Sequence, residues 1–275
     1  MNKSLLALSG AVALNFAAAP ALATEATDAL FDALRFSDVI EIMHEEGVEY
    51  SEELAEDFFP GRTVAEWPDV IDVIYDKDRM ETELRGYFSD ALDGKDVEAM
   101  TAFFSDGVGA EAVTLEISAR RAFMDEEIEA IANENAVIAA SDETDRYLLI
   151  EEFIKANNII ESNVVGALNS NFAFFVGLMS SGAFGDDITE DQILADVWSS
   201  EGEIRVNTSE WAYSFLMMAY QPLSDDEVQT YIDFSKSPAG RQMNVALFEA
   251  YDQMLERISS ELGAATGRYM MQQEL

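Results

Sequence analysis

Residues 223–240 read LSDDEVQTYIDFSKSPAG, and residues 92–109 read LDGKDVEAMTAFFSDGVG. The two stretches align without a gap at an offset of 131 (223 less 92), and Leu92, Val97, Phe103 and Gly109 fall on Leu223, Val228, Phe234 and Gly240. These matches sit at a helix entry, on its apolar face, and at a small residue just past the break. In the later copy Ser224 and Glu227 have the spacing of a capping box, in which each side chain satisfies the other residue's backbone N–H. Ser237 is placed to cap the next helix, with Pro238 at a first helical position where a missing N–H is harmless. Gly240 then lets the new helix lie close to its predecessor. Each copy therefore reads as helix, tight corner, longer helix, and the chain as one helical hairpin used twice.

The rest of the sequence carries the same period. Apolar residues recur at spacings of three and four, strand-like alternation is scarce, and Pro and Gly gather at breaks. We expect Ser37 to cap a helix through Val39, Ile40, Ile42 and Met43, and Ser51 to cap the next, which FFPGR at 58–62 ends. Further helices follow Trp67-Pro68, run from about Met80 to Ala91, carry Val97, Met100, Phe103 and Phe104, and extend from Ala110 to about Ala132. A polar stretch around Ala139 to Thr144 reads as the joint between halves. VVGALNSNFAFFVGLM at 164–179 is too short, and too interrupted by Asn169, Ser170 and Asn171, to span a bilayer, so a buried helix is expected. Thr189 and Gln192 form a second capping box. Val39-Ile40-Glu41 aligns with Leu149-Ile150-Glu151 at an offset of 110, which assigns about 21 extra residues to the second half. The expected fold is all-α, a helical bundle or array of two related halves, 24–140 and 141–275.

The first 23 residues, MNKSLLALSGAVALNFAAAPALA, combine Lys3, an apolar run and a small-x-small ending. That is the pattern of a secretory signal peptide cleaved between Ala23 and Thr24. The expected location is the periplasm or the medium, and without a cysteine after the apolar run no lipid anchor forms there. The chain of 275 residues has no cysteine, so stability in an oxidising compartment must come from packing. Net charge is −38, a balance that repels nucleic acid and anionic lipid. The acids are spread along the chain, which suits solubility in a saline exterior where screening acts over about 8 Å.

The segment LSDDEVQTYIDFSKSPAGRQM, 223–243, is similar to the signature of the domain of unknown function 2059 family. Leu223, Ser224, Glu227, Val228, Phe234, Ser237, Pro238 and Gly240 occupy its motif positions, with Val228 where Leu is common. The resemblance extends over about 211–262. It implies an exported, all-helical, mostly bacterial protein, and it brings no activity and no functional residues.

Catalytic and metal-binding patterns are scarce. His44 is the one histidine, and Glu41-Ile42-Met43-His44 has the Glu-x-x-His spacing of di-iron bundles, which require two such motifs. Zinc lacks ligands, no phosphate-binding glycine loop occurs, and neither Asp90, Asp93 and Asp96 nor Asp186 and Asp187 have the spacing of a calcium loop. No catalytic, cofactor or metal residue is assigned. Trp67, Trp198 and Trp211, with Phe172, Phe174 and Phe175, read as core, or as the lining of an apolar cavity near 164–179. The expectation is a non-enzymatic envelope protein that binds a protein partner, with no nucleic acid and no stable membrane insertion. Its alternatives are a hydrolase built on carboxylates, or a binder of apolar ligands.

Overall fold

A chain with so many acids could spend them on solubility alone, but much of this fold is started by them. Asp76, Asp96, Asp106 and Asp125 each accept a backbone N–H at a helix entry, as do Thr144, Thr189 and Ser224. Such caps satisfy donors that a first helical turn leaves orphaned, and the aspartates also place negative charge at the positive end of the helix dipole. The computed structural model describes residues 18–61, 64–183 and 188–271, with side chains from Glu25 onward, and among them there is no strand. The helices are α1 (Ala18–Ala33), α2 (Phe36–Phe58), α3 (Trp67–Ile74), α4 (Lys77–Ala91), α5 (Val97–Phe104), α6 (Gly107–Phe123), α7 (Glu126–Ser141), α8 (Asp145–Ala156), α9 (Ile159–Ser180), α10 (Glu190–Ser199), α11 (Glu201–Ala219), α12 (Asp225–Lys236) and α13 (Pro238–Met271). The expected all-α class holds. The leader up to residue 17 lies outside the described residues, and the backbone of α1 passes through Ala23 and Thr24.

Several expected boundaries are corrected. Ser37 is no cap: α2 begins at Phe36 after Arg35 takes a left-handed conformation, φ 53°, and the Ser37 hydroxyl donates to Glu81 at 3.0 Å. Ser51 caps nothing either, because α2 runs through it, and its buried hydroxyl donates to the Val48 carbonyl at 2.6 Å. The helix expected from Ala110 to Ala132 is two helices. Asp125 accepts from the N–H groups of Glu127 and Ile128 and starts α7. The stretch at 164–179 is helical as expected but only half-buried, with Val165 and Phe175 exposed.

One core runs through both halves, from Leu30 and Phe31 in α1 to Leu262 and Ala265 in α13. A smaller cluster of Val164, Leu168, Ile193 and Val197 lies between α9 and α10. Where the two hairpins meet, Phe103 and Phe234 stack face to face, with centroids 3.9 Å apart and planes 3° from parallel. Behind each ring is the same close approach. A Cβ at Gly109 would lie 2.2 Å from the Phe103 carbonyl oxygen, and one at Gly240 would lie 2.1 Å from that of Phe234.

The C-terminal part of α13 is held in a slot between α9 on one side and α3 and α4 on the other. On the α9 side glycines bring backbones together: a Cβ at Gly263 would sit 1.9 Å from the Phe174 carbonyl oxygen, and one at Gly177 would sit 2.2 Å from that of Ser260. On the α4 side Arg257 bonds Glu83 at 2.9 Å and the Ile74 carbonyl at 2.8 Å, while Arg79 grips Glu261 with two bonds of 2.9 and 2.5 Å. Arg79 also bonds Glu83, at 2.9 Å, so removing Arg257, whose side chain is only 15% exposed, leaves that carboxylate one cation and takes the side-chain donor from the Ile74 carbonyl. Arg257→Ala is expected to cost about 2 kcal/mol of stability, read from the urea midpoint.

Candidate functional site

A groove opens beside α2. α6 ends at Phe123, and the next helix, α7, packs on α11 rather than on α2. What remains is a groove of about 460 Å³, walled by Glu46, Glu49, Tyr50 and Glu53 of α2, by Trp211 and Phe215 of α11, and by the corner from Arg120 to Glu129. Its floor is an aromatic ledge. Trp211, 39% exposed, lies flat on Phe215 at 4.9 Å, and Phe215 meets Phe123 edge-on at 5.6 Å.

The walls carry five glutamates and one cation. Arg120 forks onto Glu46 with bonds of 3.0 and 2.7 Å. Glu49, Glu53, Glu126 and Glu129 have no cation within ion-pair reach among the described residues. Glu126 and Glu129 also serve α7, whose positive dipole end they face. Glu49 and Glu53 have no such structural duty. Burial, and then the charges of Glu53 and Asp57, raise the Tyr50 phenol above its ordinary value, so it stays a neutral donor. The groove can therefore offer carboxylates, π faces and one phenol to whatever enters.

One turn behind Arg120 on α6, Glu116 accepts a 2.5 Å hydrogen bond from the Tyr220 hydroxyl at the end of α11. Tyr220 and Tyr231 are buried and Tyr251 half-buried around it. Burial pushes the Glu116 carboxyl up to about 7, the Tyr220 bond opposing the shift. Burial also raises Asp252, helped by Glu256 and Glu249, but that side chain lies against Gly166 of α9, on a different helix from Tyr220.

The motif residues of 223–240 build a corner rather than a site. Ser224 and Glu227 close the capping box, with Glu227 accepting from the Ser224 N–H at 2.7 Å. Ser237 accepts from the Gly240 N–H at 3.0 Å, Pro238 opens α13, and Leu223 and Val228 are buried. Phe234 forms the ring stack. His44 meets the Tyr75 carbonyl through Nδ1 at 2.9 Å, while Glu41 pairs with Arg121. Asp96 caps α5, Asp186 and Asp187 lie outside the described residues, and among the described residues no group of three His, Cys, Asp or Glu is placed to hold a metal. Among them, too, no helix is long and apolar enough to cross a membrane.

No protein-family model, curated protein or solved structure matches the chain.

Of the aromatics considered for a cavity, Trp211 alone lines the groove. Trp67 is buried and donates to the Ser51 carbonyl at 3.0 Å, Trp198 is exposed, and Phe172, Phe174 and Phe175 stay with α9. The groove thus lies on α2, α11 and the corner between α6 and α7, and not on α9, the helix first considered. Sequence reasoning passed over Tyr50, Glu49, Glu53 and Phe215. The one local signal was Asp125, whose capping position ends α6 and uncovers them.

Proposed function

We propose that the chain is an exported, non-enzymatic binding protein of the cell envelope, built from two related helical halves, which holds a protein partner in the slot between α2 and α11. One observation carries the binding reading. An aromatic ledge and four glutamates without ion-pair partners line a groove that the chain itself leaves uncovered. Concave surfaces that combine apolar area with a few convergent polar groups are where ligands bind.

Support for the related halves comes from pairing α1–α6 with α8–α13. Arg35 and Asn158, both left-handed at φ 53° and 52°, stand between the first two helices of each series. In this pairing α1 buries Thr27, Leu30, Phe31 and Leu34 where α8 buries Ile150, Phe153, Ile154 and Asn157. That offset is 123 (158 less 35), which replaces the 110 read from Val39-Ile40-Glu41. Contacts between the halves are reciprocal: α4 packs on α13 as α11 packs on α6, and α5 touches α13 as α12 touches α6. The series differ at their ends, since α6 stops at Phe123 while α13 continues past Met254, its counterpart at the offset of 131. In that pairing α7 packs on α11 as the end of α13 packs on α4, but α13 also packs closely on α9, whereas α7 makes no such contact with α2.

Support for export is the leader, and the 223–243 resemblance agrees with it. Protein recovered from the periplasm or medium of its own host is expected to begin at Thr24 by N-terminal sequencing. For binding, tagged protein is passed through native envelope extract at roughly 0.15 M salt. A stoichiometric partner is expected on the wild type and is lost from the Tyr50→Arg, Glu53→Arg double variant, both positions being exposed. A partner held equally by both forms moves the site elsewhere.

A further inference from the structure

We infer that the outward face of α7 is a coiled-coil seam, which docks one helix of a partner protein with lysine or arginine on its flanks. A surface helix ordinarily turns its large apolar side chains inward. α7 does the reverse. The residues it buries are Ala132, Ala136 and Ala139, while Ile131 and Ile138 are 60% and 51% exposed and Ile128 is 37% exposed. Its neighbours in the chain follow the ordinary rule, α6 burying Val113 and Ile117, and α8 burying Ile150, Phe153 and Ile154. Isoleucine is a poorer helix former than alanine, so helix propensity does not account for its place on the outside.

The spacing identifies the kind of surface that covers them. Ile128, Ile131, Asn135 and Ile138 follow one another at intervals of three, four and three, the a and d positions of two heptads, and all four are exposed. A seam of this kind takes the side chains of one facing helix, and a single asparagine at an a position sets the register, because its amide needs a polar group opposite. Glu127 and Glu134, each one position before an a residue, are exposed on the flank of the seam and have no cation within ion-pair reach among the described residues. The matching helix therefore carries lysine or arginine beside its own apolar stripe. The same charges decide against a second copy of this chain, which would bring identical glutamates to the seam and a net charge of −38. None of the seam residues lines the groove beside α2, so this face stands apart from the binding reading of that groove.

The test is calorimetry on the purified protein at roughly 0.15 M salt, with synthetic peptides about three heptads long. Two of them carry leucine at the a and d positions, lysine at e and g, and one asparagine. That asparagine stands at the central a position in one peptide and at the central d position in the other, so that both helix directions are covered. A third has glutamate in place of lysine. One lysine peptide is expected to bind one to one, about tenfold tighter than the other, because only one of them faces Asn135 with a polar group. The glutamate peptide does not bind. Ile131→Ser with Ile138→Ser weakens binding by about tenfold or more, and Glu127→Gln with Glu134→Gln weakens it by about threefold. Asp69→Asn with Asp72→Asn, exposed on α3, changes it by less than about twofold. Every substituted position is exposed, and circular dichroism confirms that each variant is folded. Equal loss from the two charge variants, or full binding by the isoleucine variant, overturns the inference in favour of undirected charge attraction. A dimer of the protein alone in sedimentation equilibrium, abolished by the isoleucine substitutions, overturns it in favour of a second copy. Absence of binding by both lysine peptides overturns it outright.

Discussion

Gly240→Ala lowers the stability of this protein by about 3 kcal/mol, and Gly109→Ala lowers it by a similar amount. In each case one methyl group is driven to within 2.2 Å of a backbone carbonyl oxygen six residues earlier, a separation no side-chain rotation relieves. The helices of the hairpin must spread, and the Phe103–Phe234 stack between the hairpins loosens with them. Glycine's conformational freedom is not the issue, because neither residue has a positive φ. What is required is the missing Cβ. Urea midpoints at constant m-value measure the loss, and a melting temperature lower by roughly 10 °C is the corresponding thermal result. If the corners are built alike, the two values agree within about 1 kcal/mol. A cost at Gly240 with none at Gly109 would separate the hairpins and remove the main energetic support for a duplicated unit.

The second large effect is a pH dependence carried by Glu116. Its carboxyl sits at about 7 in the folded protein against an ordinary value of 4.5, and burial is the main cause. The raised value means that the folded state holds a proton that the unfolded state releases. The stabilisation is therefore fully present below about pH 4.5 and is lost as pH rises through 7, with an expected total of about 3 kcal/mol. The neighbours do not reverse the sign. Tyr220 and Tyr231 stay neutral, their phenols pushed well above the ordinary value by burial. Tyr251 is raised in the same way, and Arg120 stays charged. Glu116→Gln keeps a neutral acceptor for the Tyr220 hydroxyl and abolishes the proton uptake. Wild type minus variant, measured by urea unfolding from pH 4.5 to 8, isolates this residue from the other carboxylates, which both proteins share. A difference independent of pH would place Glu116 in an ordinary, solvated environment.

Helix type was legible because the apolar period of three to four residues runs almost without interruption, and because capping residues act over three or four positions. Ser224 with Glu227, Thr189 with Gln192, and Ser237 before Pro238 formed the caps their spacing predicts. Local reading failed at Ser37 and Ser51, which have the right residue type for a cap. There the backbone is decided by distant partners, Glu81 for Ser37 and the Trp67 indole beneath the Ser51 carbonyl. It failed again at 164–179. Apolar content alone cannot say which face of α9 another helix covers, and α13 covers only the one lined by Gly166 and Gly177.

By itself, then, the sequence determined the all-helical class, most helix starts, the absence of disulfides and the acidic surface, since each depends on residue type or on neighbours within one turn. Only the tertiary structure decided where a groove opens. It exists because α6 stops at Phe123 and α7 packs on α11 rather than on α2, and because Glu49, Glu53, Trp211 and Phe215, up to 166 positions apart (215 less 49), meet around it. It also decided that Glu116, one acid among 54, is partly buried and accepts the Tyr220 hydroxyl. Long-range packing selects such residues, and no spacing along the chain marks them in advance.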